Sequence, residues 1–173
     1  MFPPSEGLLP GMWKSVKNNL EIERKFLIKE LPENLKQYPR EEVVQGYLSA
    51  SSGDAEIRLR KMGKKYFQTF KKGAGKVRRE METVVTQKKF KTLWPDANKQ
   101  KIRKTRYKIP YGQHIIELDV YLGKLKRLIT AEIEFKTVKD SNKFVIPKWF
   151  GREITDDIKY KNRSLALRGL PKK

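Results

Sequence analysis

The chain has 173 residues, with 40 lysine and arginine residues against 20 aspartate and glutamate residues, and a formal net charge of +20. It contains no cysteine and one histidine, which excludes disulfides, thiolate zinc sites, a cysteine nucleophile and sites built from several histidines. Apolar residues make up 38% of the chain, so it is hydrophilic but still apolar enough to fold, and its length predicts one domain.

Residues 1–19 hold three prolines and two glycines without a hydrophobic period, and they are predicted to form a flexible lead-in to a domain over residues 20–173. This stretch lacks the basic start and continuous apolar core of a secretion signal. No apolar run reaches the roughly 18 residues of a membrane helix. We therefore expect a cytoplasmic protein without a membrane partner.

From Leu20 onward, short runs alternate between apolar and polar residues, with the period of two that is typical of β-strands. Turn signals separate the runs, and short links favour antiparallel neighbours. Eight strands are predicted, over residues 20–28, 43–49, 55–62, 65–71, 77–85, 102–109, 113–121 and 129–136. Three helices are predicted, over residues 86–94 before Pro95, 138–146 before Pro147, and 162–168. The fold class is mainly β, with a few peripheral helices.

The scarce acidic residues recur in one arrangement, an apolar residue between two carboxylates. Each such triplet lies inside a predicted strand, where residues two apart share a face. A sheet face exposed to solvent would explain any single triplet. Random placement would not repeat the pair of carboxylates on one face in four separate strands. The triplets are Glu21-Ile22-Glu23, Glu80-Met81-Glu82, Glu117-Leu118-Asp119 and Glu132-Ile133-Glu134.

Basic residues follow the same alternation: Lys25 continues the first acidic face, Arg58 and Arg60 share a face, and Lys104 shares one with Arg106. If the sheet closes into a barrel with these faces inward, the cavity must be wet and suited to a charged ligand, because burying unpaired charges is costly. Carboxylates bind Mg²⁺ or Mn²⁺, and arginine and lysine bind phosphate oxygens. The pattern therefore predicts a site for a metal-bridged polyphosphate.

The first triplet and Lys25 form the motif E-x-E-x-K at the opening strand. Further motifs follow in order: QGYL at 45–48, EIRLR at 56–60, YFQTFK at 66–71, KTRY at 104–107, ELDVY at 117–121, AEIEF at 131–135 and YKNRSLA at 160–166. Together they resemble the CYTH superfamily, the triphosphate tunnel metalloenzymes, and within it the small bacterial inorganic triphosphatases. The resemblance implies an eight-stranded antiparallel β-barrel that forms a charged tunnel.

The resemblance also implies site residues. Expected metal ligands are Glu21, Glu23, Glu132 and Glu134, with Asp119 and Glu80 or Glu82 at a second metal position. Expected phosphate-binding residues are Arg58, Arg60, Lys71 and Arg106, with Lys104 and Lys161 as helpers. The expected catalytic residues, which would position and deprotonate water, are Lys25 and Tyr47. A lysine base needs a lowered pKa, for which crowding by neighbouring basic residues is the expected cause. Tyr47 has an alternative interpretation as an ordinary strand tyrosine.

The function so implied is metal-dependent hydrolysis of inorganic triphosphate to pyrophosphate and phosphate, with Mg²⁺ or Mn²⁺ as cofactor. Alternatives in the same tunnel are an RNA 5′-triphosphatase, a nucleoside or thiamine triphosphatase, and a class IV adenylate cyclase. A non-catalytic polyphosphate or nucleic-acid binding module is the alternative outside enzymes. The net charge of +20 is compatible with weak nucleic-acid or polyphosphate binding at the surface, although no motif that reads nucleic-acid sequence is present.

Overall fold

The structure, a computed structural model, describes residues 22–48, 55–72 and 79–172. Its strands are β1 (Ile22–Ile28), β2 (Arg40–Leu48), β3 (Ala55–Met62), β4 (Lys65–Lys72), β5 (Arg79–Val84), β6 (Lys101–Tyr111), β7 (His114–Tyr121), β8 (Ile129–Phe135) and β9 (Phe150–Glu153). Its α-helices are α1 (Gln87–Ala97), α2 (Val138–Lys143) and α3 (Asn162–Arg168). The predicted lead-in, residues 1–19, lies outside the described residues. Within the described ranges, no helix is long and apolar enough to cross a membrane.

The strands form one antiparallel sheet in the order β5-β4-β3-β2-β6-β7-β8-β1-β9. The mainly β, antiparallel tunnel fold is confirmed, and the first eight strands correspond to the eight predicted ones. Strand β9 is an addition; it has four residues, too few to show a period of two, and it pairs with β1. Within the described residues the edge strands β5 and β9 are not paired with each other, so backbone hydrogen bonds do not close the ring there.

The register of the sheet puts the charged residues on one face. Lys25 lies opposite Glu132, and Arg106 lies opposite Asp119, and residues directly opposite each other share a face. This charged face is concave. Burial and Glu132 raise the pKa of Glu23 on β1, and Lys71 on β4 is close enough to oppose that shift, although five strands lie between β1 and β4 in the sheet order.

The opposite face of the sheet carries the main apolar core. Phe26, Leu118 and Ile133 are buried there, together with Phe144 and Phe150 from the segment after β8. Apolar side chains on alternate positions therefore anchor the strands from outside, which leaves the other positions for the charged face.

Helix α3, at the residues predicted, covers one end of the charged face. Leu165 is buried against Ile102 and Tyr121, two residues that continue the charged face along β6 and β7. The Tyr121 hydroxyl donates to Asn162 Oδ1 at 2.9 Å, and Arg163 of α3 lies 3.9 Å from Glu56 of β3. The helix therefore links strands on two sides of the tunnel.

Helix α1 is longer than predicted. Its expected end before Pro95 is wrong, because the helix continues through Pro95 to Ala97. Proline removes one backbone hydrogen bond, but the last turn is held by the bond from the Asn98 N–H to the Trp94 carbonyl. It is also held by close packing, because a Cβ at Gly46 would lie 2.4 Å from the Ala97 carbonyl oxygen.

Helix α2 is shorter than predicted. It ends at Lys143 rather than at residue 146, because Phe144 adopts an extended backbone. This conformation lets the Phe144 ring pack edge-on against Phe135, with the ring centroids 5.4 Å apart. The gain from burying an aromatic ring outweighs one further turn of a short helix.

Candidate functional site

The charged face has two clusters of ion pairs. The first, here called the buried half, lies on β1, β6, β7 and β8 and consists of Lys25, Lys104, Arg106, Asp119 and Glu132. The second, here called the open half, lies on β3, β4 and β5 and consists of Arg58, Arg60, Lys71, Glu80 and Glu82. Ten of the residues expected in the site are thus brought onto one concave surface.

Asp119 is the centre of the buried half. Its Oδ2 accepts hydrogen bonds from Lys104 Nζ at 2.5 Å and from Arg106 Nη2 at 2.7 Å, and its Oδ1 accepts one from Arg106 Nε at 2.7 Å. Burial raises the pKa of Asp119, but the charges of Lys104 and Arg106 outweigh burial and lower it. The carboxylate therefore stays ionised and orients both basic side chains. A metal ion at Asp119 would have to compete with these contacts.

Lys25 differs from the expected lysine base. Its Nζ lies 2.7 Å from Glu132 Oε1. Burial lowers the pKa of Lys25, but the Glu132 charge outweighs burial, and the net direction is upward. The groups that raise it also include Tyr121 and Asp119, so the neighbours with the largest effect are acidic groups and not the basic residues expected. The expected lowering of this pKa is wrong.

Lys104 is the lysine whose pKa falls. Burial and then the positive charge of Arg106 lower the pKa of Lys104 to about 8, despite its contact with Asp119. Arg106 already neutralises the Asp119 carboxylate, so a second buried cation there gains less from staying charged.

Glu82 is the centre of the open half. Its Oε2 accepts hydrogen bonds from Arg60 Nη2 at 2.7 Å, from Thr69 Oγ1 at 2.8 Å and from Arg58 Nη2 at 3.1 Å. Lys71 Nζ lies 2.7 Å from Glu80. The two arginines are thus held side by side above β4. Their Nε atoms are buried and have no hydrogen-bond partner within the described residues, which leaves two guanidinium donors for a ligand oxygen.

The expected metal ligands lie beside the buried half. Glu23 lies directly opposite Glu134 in the register, with Glu132 two residues away on the same face. Glu23 makes no ion pair within the described residues, and burial and then the charge of Glu132 raise its pKa. A divalent cation would relieve this crowding of carboxylates, and oxygen ligands are those that Mg²⁺ and Mn²⁺ prefer, so the donor set fits such an ion.

Glu21, the fourth expected metal ligand, lies outside the described residues. Among the described ranges, no three acidic or histidine side chains are close enough together to form a complete cation site. Glu23, Glu132 and Glu134 therefore provide part of a site rather than all of it.

Tyr47 and Lys161 lie at the border of the site. Tyr47 is buried on β2, its hydroxyl accepts a hydrogen bond from Gln45 Nε2 at 2.8 Å, and burial raises its pKa. Within the described residues it makes no hydrogen bond to Lys25. Lys161 donates to the Thr155 carbonyl at 3.0 Å, and its charge opposes the raised pKa of Glu23, so it lies near that carboxylate.

Three polar residues of the site were not among those expected. Glu117 accepts a hydrogen bond from Arg106, Thr69 bonds to Glu82, and Tyr121 lies close enough to Lys104 for its ring to face the ammonium group at 5.5 Å. All three occupy charged-face positions of their strands; the triplet pattern already placed Glu117 there, and alternation applied to Thr69 and Tyr121 would have found them too.

Comparisons with known proteins are consistent with this geometry. A family model described as the CYTH domain matches residues 19–169. An inorganic triphosphatase of Nitrosomonas europaea is 42% identical over 150 residues, which cover 85% of this chain and 97% of that protein. An inorganic triphosphatase of Acetivibrio thermocellus is 33% identical over 126 residues, which cover 70% and 78%. The crystal structure of an inorganic triphosphatase matches with a TM-score of 0.67 and 37% identity, over 85% of this chain and 94% of that one.

Proposed function

Because the chain belongs to the CYTH domain family, we propose that it is a hydrolase that cleaves inorganic triphosphate to pyrophosphate and phosphate inside the tunnel. The similarity to two inorganic triphosphatases over most of their length supports this substrate. The two clusters place six basic side chains on the concave face, and arginine and lysine are the residues that bind phosphate oxygens.

The observation that carries the proposal is the pair of unpartnered Nε atoms on Arg58 and Arg60. A buried N–H without an acceptor is costly, and it is rare unless a ligand completes it. Glu82 accepts hydrogen bonds from the Nη2 atoms of both arginines, which leaves their Nε–H groups to donate to phosphate oxygens. Lys71 and the buried-half residues Lys104 and Arg106 would bind the remaining phosphates.

Glu23, Glu132 and Glu134 would hold a Mg²⁺ or Mn²⁺ ion, with Glu21 as a further candidate. When bound, such an ion would supply positive charge that offsets the negative charge developing on the leaving group. The carboxylates Asp119, Glu80 and Glu82 would act by positioning the basic residues they already contact, and each could add an oxygen ligand once phosphate takes over those residues.

Lys25 would position the attacking water rather than accept its proton, because its contact with Glu132 keeps the amine protonated. Tyr47 keeps its proton for a different reason, since burial raises the pKa of its hydroxyl. Both residues would therefore act as oriented hydrogen-bond donors near the terminal phosphate.

The test is phosphate release from tripolyphosphate by the purified full chain with Mg²⁺, with Mn²⁺ and with EDTA. Parallel reactions use ATP, thiamine triphosphate and RNA with a 5′-triphosphate at equal concentration, and cyclic AMP is measured in the ATP reaction. We expect metal-dependent release from tripolyphosphate with little cleavage of ATP. Faster turnover of another triphosphate, or formation of cyclic AMP, would assign the tunnel to that substrate. Binding without release would make the protein a polyphosphate-binding module.

A further inference from the structure

The positive charge of the protein is not concentrated in the tunnel. Each basic residue of the buried and open halves contacts a carboxylate on the same face. The formal net charge of +20 is therefore carried by basic residues elsewhere. A substrate bound in the tunnel does not explain them.

One group of these residues lies where β6 begins and where β7 turns into β8. We call it the β6 basic surface, and its members, all exposed, are Lys99, Lys101, Arg103, Lys124, Lys126 and Arg127. Lys101 and Arg103 alternate with the buried Ile102, so they point away from the tunnel. Two contacts join the turn to the strand: the Leu122 N–H donates to the Arg103 carbonyl at 2.9 Å, and Leu125 packs with Ile102.

The β6 basic surface has almost no acidic neighbours. Residues 97–116 and 120–131 contain no aspartate or glutamate, and the residues of β2 opposite Lys101 and Arg103 are Gly46 and Val44. Within the described residues the surface makes one ion pair, between Lys99 and Asp96 at 3.9 Å, in which both side chains are 78% exposed. Such a pair contributes little, so the surface presents six nearly uncompensated positive charges.

A surface with this charge attracts a polyanion. The kind of polyanion is indicated by two features that the described part of this surface lacks, an apolar face and exposed aromatic side chains. None of the large apolar residues exposed in the described ranges lies in residues 97–108 or 122–128. Membrane-surface binding combines basic residues with an inserted apolar face, and binding of single strands uses aromatic side chains on which bases stack. Double-stranded nucleic acid, whose bases are stacked inside the phosphate backbone, requires neither an apolar face nor aromatic side chains on the protein.

We propose that the β6 basic surface binds the phosphate backbone of double-stranded nucleic acid without reading its sequence. Lys101 and Arg103 are two residues apart on a strand, about 7 Å, and the turn residues extend the positive surface beside them. Contacts to phosphate alone give binding that weakens steeply with salt and that tolerates any base sequence. Because this surface lies outside the tunnel, the proposal is independent of the proposed function.

The test measures binding of the full-length protein to a fluorescently labelled 20-base-pair duplex by anisotropy, from 0.05 to 0.2 M salt. The variant carries Lys101→Gln, Arg103→Gln and Lys126→Gln, and the control carries Lys36→Gln, Lys139→Gln and Lys148→Gln. Both lose three charges at exposed positions. We expect the first to reduce the slope of log affinity against log salt by about 2.7 and to weaken binding roughly 100-fold at 0.1 M salt. We expect the control to retain most of the wild-type slope, and both to retain tripolyphosphate binding.

Four results would overturn the proposal. Equal losses in the two variants would mean that binding follows net charge rather than this surface. Displacement of the duplex by tripolyphosphate with Mg²⁺ would place the nucleic acid in the tunnel. Binding to vesicles of anionic lipid without binding to the duplex would identify a membrane partner instead. No duplex binding by the wild-type protein at 0.05 M salt would exclude the interaction altogether.

Discussion

The two halves of the charged face use the same residue types, but water reaches them to different extents. In the buried half, the side chains of Lys104 and Asp119 are 1% and 0% exposed. In the open half, those of Lys71 and Glu82 are 23% and 31% exposed. In the interior a charge must keep its partner, because nothing else solvates it. In the open half, water or a ligand can replace the partner.

The difference follows from what covers each half. Helix α3 and the residues around Leu165 close one end of the tunnel over the start of β6 and the end of β7. The open half ends at β5, an edge strand of the sheet within the described residues. The buried half is therefore a preorganised scaffold, and the open half is where phosphate can enter with the least loss of existing contacts.

The largest effect is expected from Asp119→Asn. This change leaves Arg106 and Lys104 buried without their common carboxylate, and breaking a buried ion pair costs about 3–5 kcal/mol. The matched change in the open half is Glu82→Gln, for which we expect a loss of about 1 kcal/mol because the carboxylate is partly solvated. Urea unfolding of both variants measures the two free energies. Equal losses of unfolding free energy in the two variants would show that both halves depend equally on their ion pairs.

The second expected effect concerns Glu23, which lies where the two halves meet, close to Glu132 of one and Lys71 of the other. Glu23→Gln should reduce metal-dependent release of phosphate at least 100-fold, on the order of the loss of a metal ligand. It should leave the urea midpoint unchanged or higher, because it removes a crowded carboxylate. The measurement is turnover across a Mg²⁺ titration. Wild-type turnover in this variant would contradict the assignment of Glu23 to the metal.

The third expected effect tests the entry of phosphate at the open half. Arg58→Ala removes a charged donor to phosphate, and hydrogen bonds to charged groups contribute about 1.5–3 kcal/mol, so we expect kcat/KM to fall roughly 10- to 100-fold. The control is Lys61→Ala, which changes another basic residue of β3, on the outward face, where Lys61 is exposed. Unchanged kinetics for Arg58→Ala would mean that the open half does not bind substrate.

The strand alternation in the sequence was sufficient to predict which residues share the charged face. The Glu21–Lys25 motif, the Arg58/Arg60 pair and the later triplets all lie on strands whose register the structure confirms where it describes them. Alternation works here because the period of two is set by backbone geometry and does not depend on the partners of each side chain.

The pairing within that face could not be predicted from the sequence. The register between β1 and β8 decides which carboxylate lies next to Lys25, and the sequence does not contain that register. The direction of the pKa shift of Lys25 therefore could not be predicted. The end of α1 was missed for a related reason. Pro95 is a local signal for a stop, but the contact between Gly46 and Ala97 comes from residues that are 51 positions apart in the chain.

The last expected effect concerns the titration of Lys104, and it separates the halves by pH. The lowered pKa of Lys104, about 8 against an ordinary 10.5, means that the unfolded chain binds more protons than the folded one between these values. The free energy of unfolding should therefore rise with pH from about 8 to 10.5, since stability rises wherever the unfolded state binds more protons.

The measurement is urea unfolding in EDTA across this range for the wild type and for Lys104→Met. We expect Lys104→Met to remove this rise while Lys71→Met in the open half retains it, because the second change leaves Lys104 and its buried neighbours in place. A rise that persists in Lys104→Met would show that another group produces it and that Lys104 stays charged beside Asp119.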